Sequence, residues 1–202
     1  MQAKRMRYST DMNKLLIGAV VVAAFIGGFY AFNSYTRNGS QTTAASDYKN
    51  AEYLIEGQRV KLENGVAETE AAPGSASKIT TRYFGNELKT DLDGDGRDDV
   101  AFILTQERGG SGTFFYAVAA LNTDRGYVGS DGYLLGDRIA PQSTNVSQNP
   151  RHEYVVVFNY ADRAPGEPMT ARPSVGKSVY LKLSPATMQW GIVVPDFEGE
   201  SR

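Results

Sequence analysis

The chain alternates between short hydrophobic runs and clusters of Gly, Asp, Asn, Ser and Pro, apart from one continuous apolar stretch near its start. Val100–Leu104, Phe114–Leu121 and Tyr154–Phe158 are short, rich in β-branched and aromatic residues, and bounded by Gly or polar clusters. That pattern predicts central β-strands. Tyr53-Leu54-Ile55 and Val60-Lys61-Leu62, the latter followed by Asn64-Gly65 and Val66, predict small strands joined by tight turns, Asn-Gly being the strongest short hairpin signal. Lys78–Phe84 alternates as a strand does, and Tyr133–Ile139 does so less regularly. Val179, Leu181 and Leu183 alternate with Ser178, Tyr180 and Lys182, the period of a half-buried strand. Ser184–Thr187 is a turn leading to a last strand over Met188–Val194. The sum is a mainly β fold, an antiparallel sandwich or barrel-like domain of about eight to ten short strands. Gly109–Gly112 makes one turn, and Pro165, Pro168 and Pro173 stiffen a long connection across 161–176. A connection of that length is either functional or simply a surface loop.

The apolar stretch is of another kind. Leu15–Phe32 runs 18 residues without a charge, and about 20 residues of helix cross a bilayer. Lys4, Arg5, Arg7 and Lys14 precede it, so the N-terminus is expected to stay in the cytoplasm. A cleaved signal peptide would need a shorter apolar stretch and small residues after it, where this chain has Phe29, Tyr30, Phe32 and Tyr35. The predicted organisation is a basic cytoplasmic segment (1–14), a transmembrane anchor (15–32), a Ser/Thr/Asn-rich tether (33–50) and an extracytoplasmic β-rich domain (51–202). The expected location is the bacterial cytoplasmic membrane, crossed once, with the lipid bilayer as partner of residues 15–32.

Composition narrows the chemistry. No cysteine is present, which excludes disulfides, thiolate metal sites and a Cys nucleophile, and the single histidine, His152, excludes a multi-histidine metal site. Residues 46–202 carry 16 basic against 22 acidic side chains, a net of −6. A face that binds nucleic acid is basic, so that function is excluded.

The charge concentrates in Asp91-Leu92-Asp93-Gly94-Asp95-Gly96-Arg97-Asp98-Asp99, five carboxylates in nine residues. Close carboxylates repel, and Ca²⁺ takes six to eight hard oxygens in a flexible cage. Asp91, Asp93 and Asp95 can turn inward, Gly96 permits the bend, the carbonyl of Arg97 supplies an oxygen, and Asp99 closes the shell. The nonapeptide resembles the calcium loops of EF-hands, dockerins and integrin-type propeller repeats. The EF-hand's twelfth position is Phe102 here, followed by a strand pattern, so the resemblance implies a structural calcium loop between strands. An acidic turn without an ion is the alternative.

Other motifs fail. Gly176-Lys177-Ser178 would need glycine at Ala171 to be a phosphate-binding loop, and Ser111 lacks the second glycine of a nucleophile elbow, Thr113 standing there. A Ser-His-Asp triad has only His152 to use. The segments GSASKITTRYFGNELKTDLDGDGRDDVAFILTQ, GGSGTFFYAVAALN, LLGDRIAPQS and NYADRAPGEP resemble a family of uncharacterised bacterial membrane-anchored envelope proteins, over most of 50–199. That resemblance implies an extracytoplasmic setting and assigns no catalytic residue. The expected function is a non-enzymatic, calcium-stabilised, membrane-tethered domain binding an envelope protein or glycan ligand. The alternative is a peptidoglycan or glycan hydrolase using a carboxylate pair.

Overall fold

The computed structural model describes residues 44–72 and 74–195. The segments 1–14 and 15–32 and most of the 33–50 tether lie outside the described residues. Among the described residues no helix is long and apolar enough to cross a membrane.

The fold is mainly β and antiparallel, with twelve strands among the described residues. β1 (Glu52–Ile55) and β2 (Gln58–Lys61) form a hairpin. β3 (Val66–Glu70), β4 (Lys78–Thr90), β5 (Asp99–Glu107), β6 (Thr113–Thr123) and β7 (Gly126–Gly129) then run as a meander. β8 (Tyr133–Asp137) pairs with the other half of the β6 edge that β7 uses. β9 (Ala140–Val146), β10 (Val155–Asp162), β11 (Val175–Ser184) and β12 (Gln189–Ile192) form a four-stranded sheet.

The continuous apolar runs of β5 and β6 exist because both faces of these strands are covered. Ala101, Ile103, Ala117, Ala119 and Leu121 join Leu92, Leu135, Val156, Phe158, Leu181 and Leu183 in one core. Their chain neighbours Val100, Phe102, Leu104, Tyr116, Val118 and Ala120 join Tyr53, Ile55, Val60 and Leu62 in another. Side chains on a strand alternate between faces, so one run feeds two cores. Phe102 is the hub of the second, fully buried with the rings of Tyr48, Tyr53 and Tyr83 at 5.4–5.6 Å. Burying a side chain of that size contributes about 2–3 kcal/mol.

Local chemistry places the turns. Asn64 and Gly65 both take positive φ (52° and 83°), and Glu63 and Val66 pair across them with 2.8 and 3.2 Å hydrogen bonds. That is the two-residue hairpin expected of Asn-Gly.

The structure has strands beyond those expected. β7 and β9 were not anticipated. β9 (APQSTNV) is polar and contains Pro141, which is tolerated because it falls where the β9–β10 register shifts, on an outer strand. β4 does not stop at Phe84 but continues to Thr90 through two irregularities, with Asn86 at φ 52°, and so carries the chain into the acidic loop. β10 runs to Asp162 and β11 starts at Val175, which shortens the proline-rich connection to 163–174. Arg163 holds it, donating to the carbonyls of Ala171 (2.8 Å) and Arg138 (3.0 Å). Residues that the composition assigns to the tether are also folded. Ala45 pairs with Tyr127, and Tyr48–Asn50 form a 3-10 turn capped by Asp47.

Candidate metal centre

The acidic stretch is the connection between β4 and β5, which are antiparallel neighbours with Thr90 opposite Asp99. Because the two strands pair up to that point, residues 91–98 must close a loop, and the carboxylates of Asp91 and Asp93 converge there on that of Asp99. Asp91 is the organiser. Its Oδ1 accepts the amides of Asp93 (3.1 Å) and Gly94 (2.6 Å), and its Oδ2 accepts that of Gly96 (3.0 Å). Burial pulls this carboxyl upward, but the backbone N–H groups of Gly94, Gly96, Asp93 and Asp95 outweigh it and hold its pKa below the ordinary carboxylate value. Gly94 (φ 86°) and Gly96 (φ 83°) make the bends in left-handed conformation.

Asp99 is the buried member, with no exposed surface. Its Oδ2 accepts the amide of Leu92 at 2.8 Å and its Oδ1 that of Asn122, on β6, at 2.7 Å. Burial pushes its pKa up to about 6 against the pull of those two amides, and the charges of Asp93 and Asp95 push the same way.

Carboxylate oxygens of Asp91, Asp93 and Asp99 lie within 4.8 Å of one another. One other expected ligand, Asp95, is arranged differently. Asp95 is not in that cluster: its Oδ1 accepts the Arg97 amide at 2.8 Å and its Oδ2 pairs with the Arg97 guanidinium. The same guanidinium also pairs with Asp124, from the turn after β6, so the Arg97 side chain is a bridge across the loop's outer side. Phe102, standing where an EF-hand has its bidentate Glu, lies in the aromatic core. The three converging carboxylates are hard oxygen donors of the kind Ca²⁺ prefers, and Asp93, accepting one backbone amide at 3.1 Å, is the least committed of them.

Beside the loop lies a small cavity of about 210 Å³ lined by Thr90, Asp91, Leu92, Val146, Tyr154, Val155 and Val156. A second, of about 100 Å³, is lined by Ile55, Glu56, Gln58, Ile79, Gln106 and Arg108. At its edge is a network that sequence reasoning missed. Arg108 ion-pairs with Glu56 at 2.7 Å, donates to Gln106 Oε1 at 2.8 Å and stacks 4.5 Å from the Phe114 ring centroid. The Tyr116 hydroxyl, also hydrogen-bonded to Arg108, donates to the same Glu56 oxygen at 2.7 Å. Hydrogen bonds from Arg108 and then Tyr116 hold the Glu56 pKa below its ordinary value. A similar node joins Tyr48 and Tyr83, whose hydroxyls both donate to Glu87 Oε2 at 2.6 Å.

His152 is not a triad base. Asn149 Oδ1 accepts the Arg151 amide at 3.0 Å, which turns Asn149 Nδ2 toward His152 Nε2 at 3.5 Å. The ring's Nδ1 lies 2.8 Å from Ser147 Oγ, and its other nitrogen faces the Asn149 amide where a triad would place a carboxylate. No family model, no curated protein and no solved structure matches this chain.

Proposed function

We propose that the chain is a membrane-tethered extracytoplasmic domain, a β-sandwich type of scaffold whose β4–β5 loop holds a structural Ca²⁺ and whose task is to bind an envelope protein or glycan. The convergence of the Asp91, Asp93 and Asp99 carboxylates to within 4.8 Å carries the calcium reading. Asp91, Asp93 and Asp99, with the Arg97 carbonyl, would hold the ion, and it would neutralise charges that otherwise oppose one another across the loop. The role is structural because Asp99 fastens the loop to both Leu92 and β6, so an ion there braces the start of the central strand. One feature supports binding over hydrolysis: each of the two cavities above is lined by one carboxylate rather than a facing pair. The tether rests on the uncharged run Leu15–Phe32 and its basic flank.

Thermal melting of the full chain with calcium, magnesium or chelator tests this. At the 10⁻⁴ to 10⁻³ M affinity usual for extracellular modules, about 10 mM Ca²⁺ adds about 1.4–2.7 kcal/mol to stability. Magnesium, needing a tighter octahedral shell, adds less. A melting temperature indifferent to both calcium and chelator reduces the loop to an acidic turn.

A further inference from the structure

We propose that the outer edge of β12 is a strand-pairing interface for a second copy of this chain. The hydrogen-bond pattern of β11 and β12 shows which backbone groups are free to pair. Val193 donates to the Tyr180 carbonyl at 2.9 Å, and Lys182 lies opposite Gly191. In an antiparallel ladder bonded pairs alternate, so Val193, Gly191 and Gln189 face β11, while Trp190, Ile192 and Val194 turn their N–H and C=O groups outward. At the turn before β12, the Met188 amide donates back to the Ser184 carbonyl at 2.8 Å, while its carbonyl accepts the Asp131 amide at 2.8 Å. Asp131 thus closes one end of the edge and Pro195 the other, and among the described residues nothing pairs with the positions between.

The side chains there match the backbone. Ile192 lies opposite Leu181 and Trp190 opposite Leu183, so both sit on the face that carries the main core. Trp190 packs on that core, its ring edge-on to Phe158 at 6.1 Å. Ile192 and Val194, further along, are 64% and 78% exposed, the two most exposed large hydrophobic residues among those described. Folded proteins guard such edges with charge, bulges or proline. Met188–Pro195 (MQWGIVVP) has no ionisable side chain and only its terminal proline.

Charge selects the occupant. A strand pairing with its own copy sets each residue against another from the same segment, so any charge in it risks facing its like. This segment has none, which makes it compatible with itself although the domain carries a net negative charge. A twofold axis at Ile192 pairs outward-facing residues with outward-facing residues. Ile192 meets the partner's Ile192, and Trp190 meets the partner's Val194, apolar against apolar on one face. The two four-stranded sheets then join into one. The inference is independent of the calcium reading and of any ligand.

The chain lacks cysteine, so single cysteines report the pairing cleanly. Bonded antiparallel pairs have Cα atoms about 5.5 Å apart, inside the disulfide window of about 4.4–6.8 Å. The full chain carrying Ile192→Cys should oxidise to a covalent dimer at least about tenfold faster than Val194→Cys, whose partner across the axis is Trp190, or Asn145→Cys, an exposed site on β9. In the unmodified chain, the Ile192 amide should lose its hydrogen-exchange protection on dilution. Ile192→Cys crosslinking no faster than Asn145→Cys overturns the proposal. So does protection of the Ile192 amide that ignores dilution, which would mean the chain's own residues cover the edge.

Discussion

Asp99 accepts the Leu92 amide at 2.8 Å across the neck of the acidic loop, so the last residue of the motif fastens its second. With Asn122 on its other oxygen, the same carboxylate ties the loop to β6. Asp99→Ala leaves both amides without an acceptor, at about 1–3 kcal/mol each, so a loss of about 2–6 kcal/mol is expected. Asp99→Asn keeps one acceptor and removes a buried charge, and should cost less. Urea unfolding in chelator measures both, free of any ion. Equal losses from the two variants would show that the amides are not what Asp99 serves.

Gly94 sits at φ 86°, and a Cβ there would lie 3.0 Å from the Tyr154 hydroxyl. Gly94→Ala should destabilise by about 1–2 kcal/mol through left-handed strain, the tyrosine tip being free to give a few tenths of an ångström. Adding Tyr154→Phe removes the 3.0 Å contact, leaving the ring carbon at 3.3 Å and the backbone strain. If the double variant recovers full stability in chemical denaturation, the contact rather than the backbone was the cost.

These two positions mark how far the sequence could be read. The convergence of the Asp91, Asp93 and Asp99 carboxylates was legible because side chains of a short loop are placed by local spacing, and the hairpin supplied the closure. Asp95 was not, because its partner Arg97 is drawn across the loop by Asp124, which only the β6–β7 turn brings near. The β5 and β6 runs announced central strands because two cores cover them. β9 did not, since an outer strand with Ser143 and Asn145 pointing away from the core needs its neighbour to be recognised. The Glu56–Tyr116 contact spans 60 residues and carries no local pattern.

Asp93 and Asp95 separate ligation from loop structure. Asp93 accepts a single amide, at 3.1 Å, which an asparagine oxygen at that place still accepts. Asp93→Asn should therefore leave stability in chelator nearly unchanged and cut the calcium-dependent gain at least by half, about 0.7–1.4 kcal/mol. Asp95→Asn weakens the pairing with Arg97 and should lower stability in chelator slightly while leaving more of the calcium response. Isothermal titration of Ca²⁺ into both variants checks the ranking. The reverse ranking would move Asp95 into the coordination shell.

Glu56 gives the fold a pH dependence whose sign is set by its partners. Arg108 and Tyr116 favour the ionised form and lower its pKa in the folded state. A carboxyl with a depressed folded pKa contributes stability above its unfolded value, near 4.3, and loses it as pH falls through the folded value. The Glu56 side chain is 47% exposed, so solvent screening keeps the contribution modest. Wild type and Glu56→Gln should thus differ most near neutral pH and converge in acid. The difference should also shrink in the Arg108→Met background, where the main partner is gone while an apolar stem still covers Phe114. Denaturant unfolding of the four proteins across that pH range measures the coupling. A Glu56→Gln effect unchanged by pH, or unchanged by losing Arg108, would mean that the hairpin β1–β2 is held over the central sheet by its buried Tyr53, Ile55 and Val60 alone.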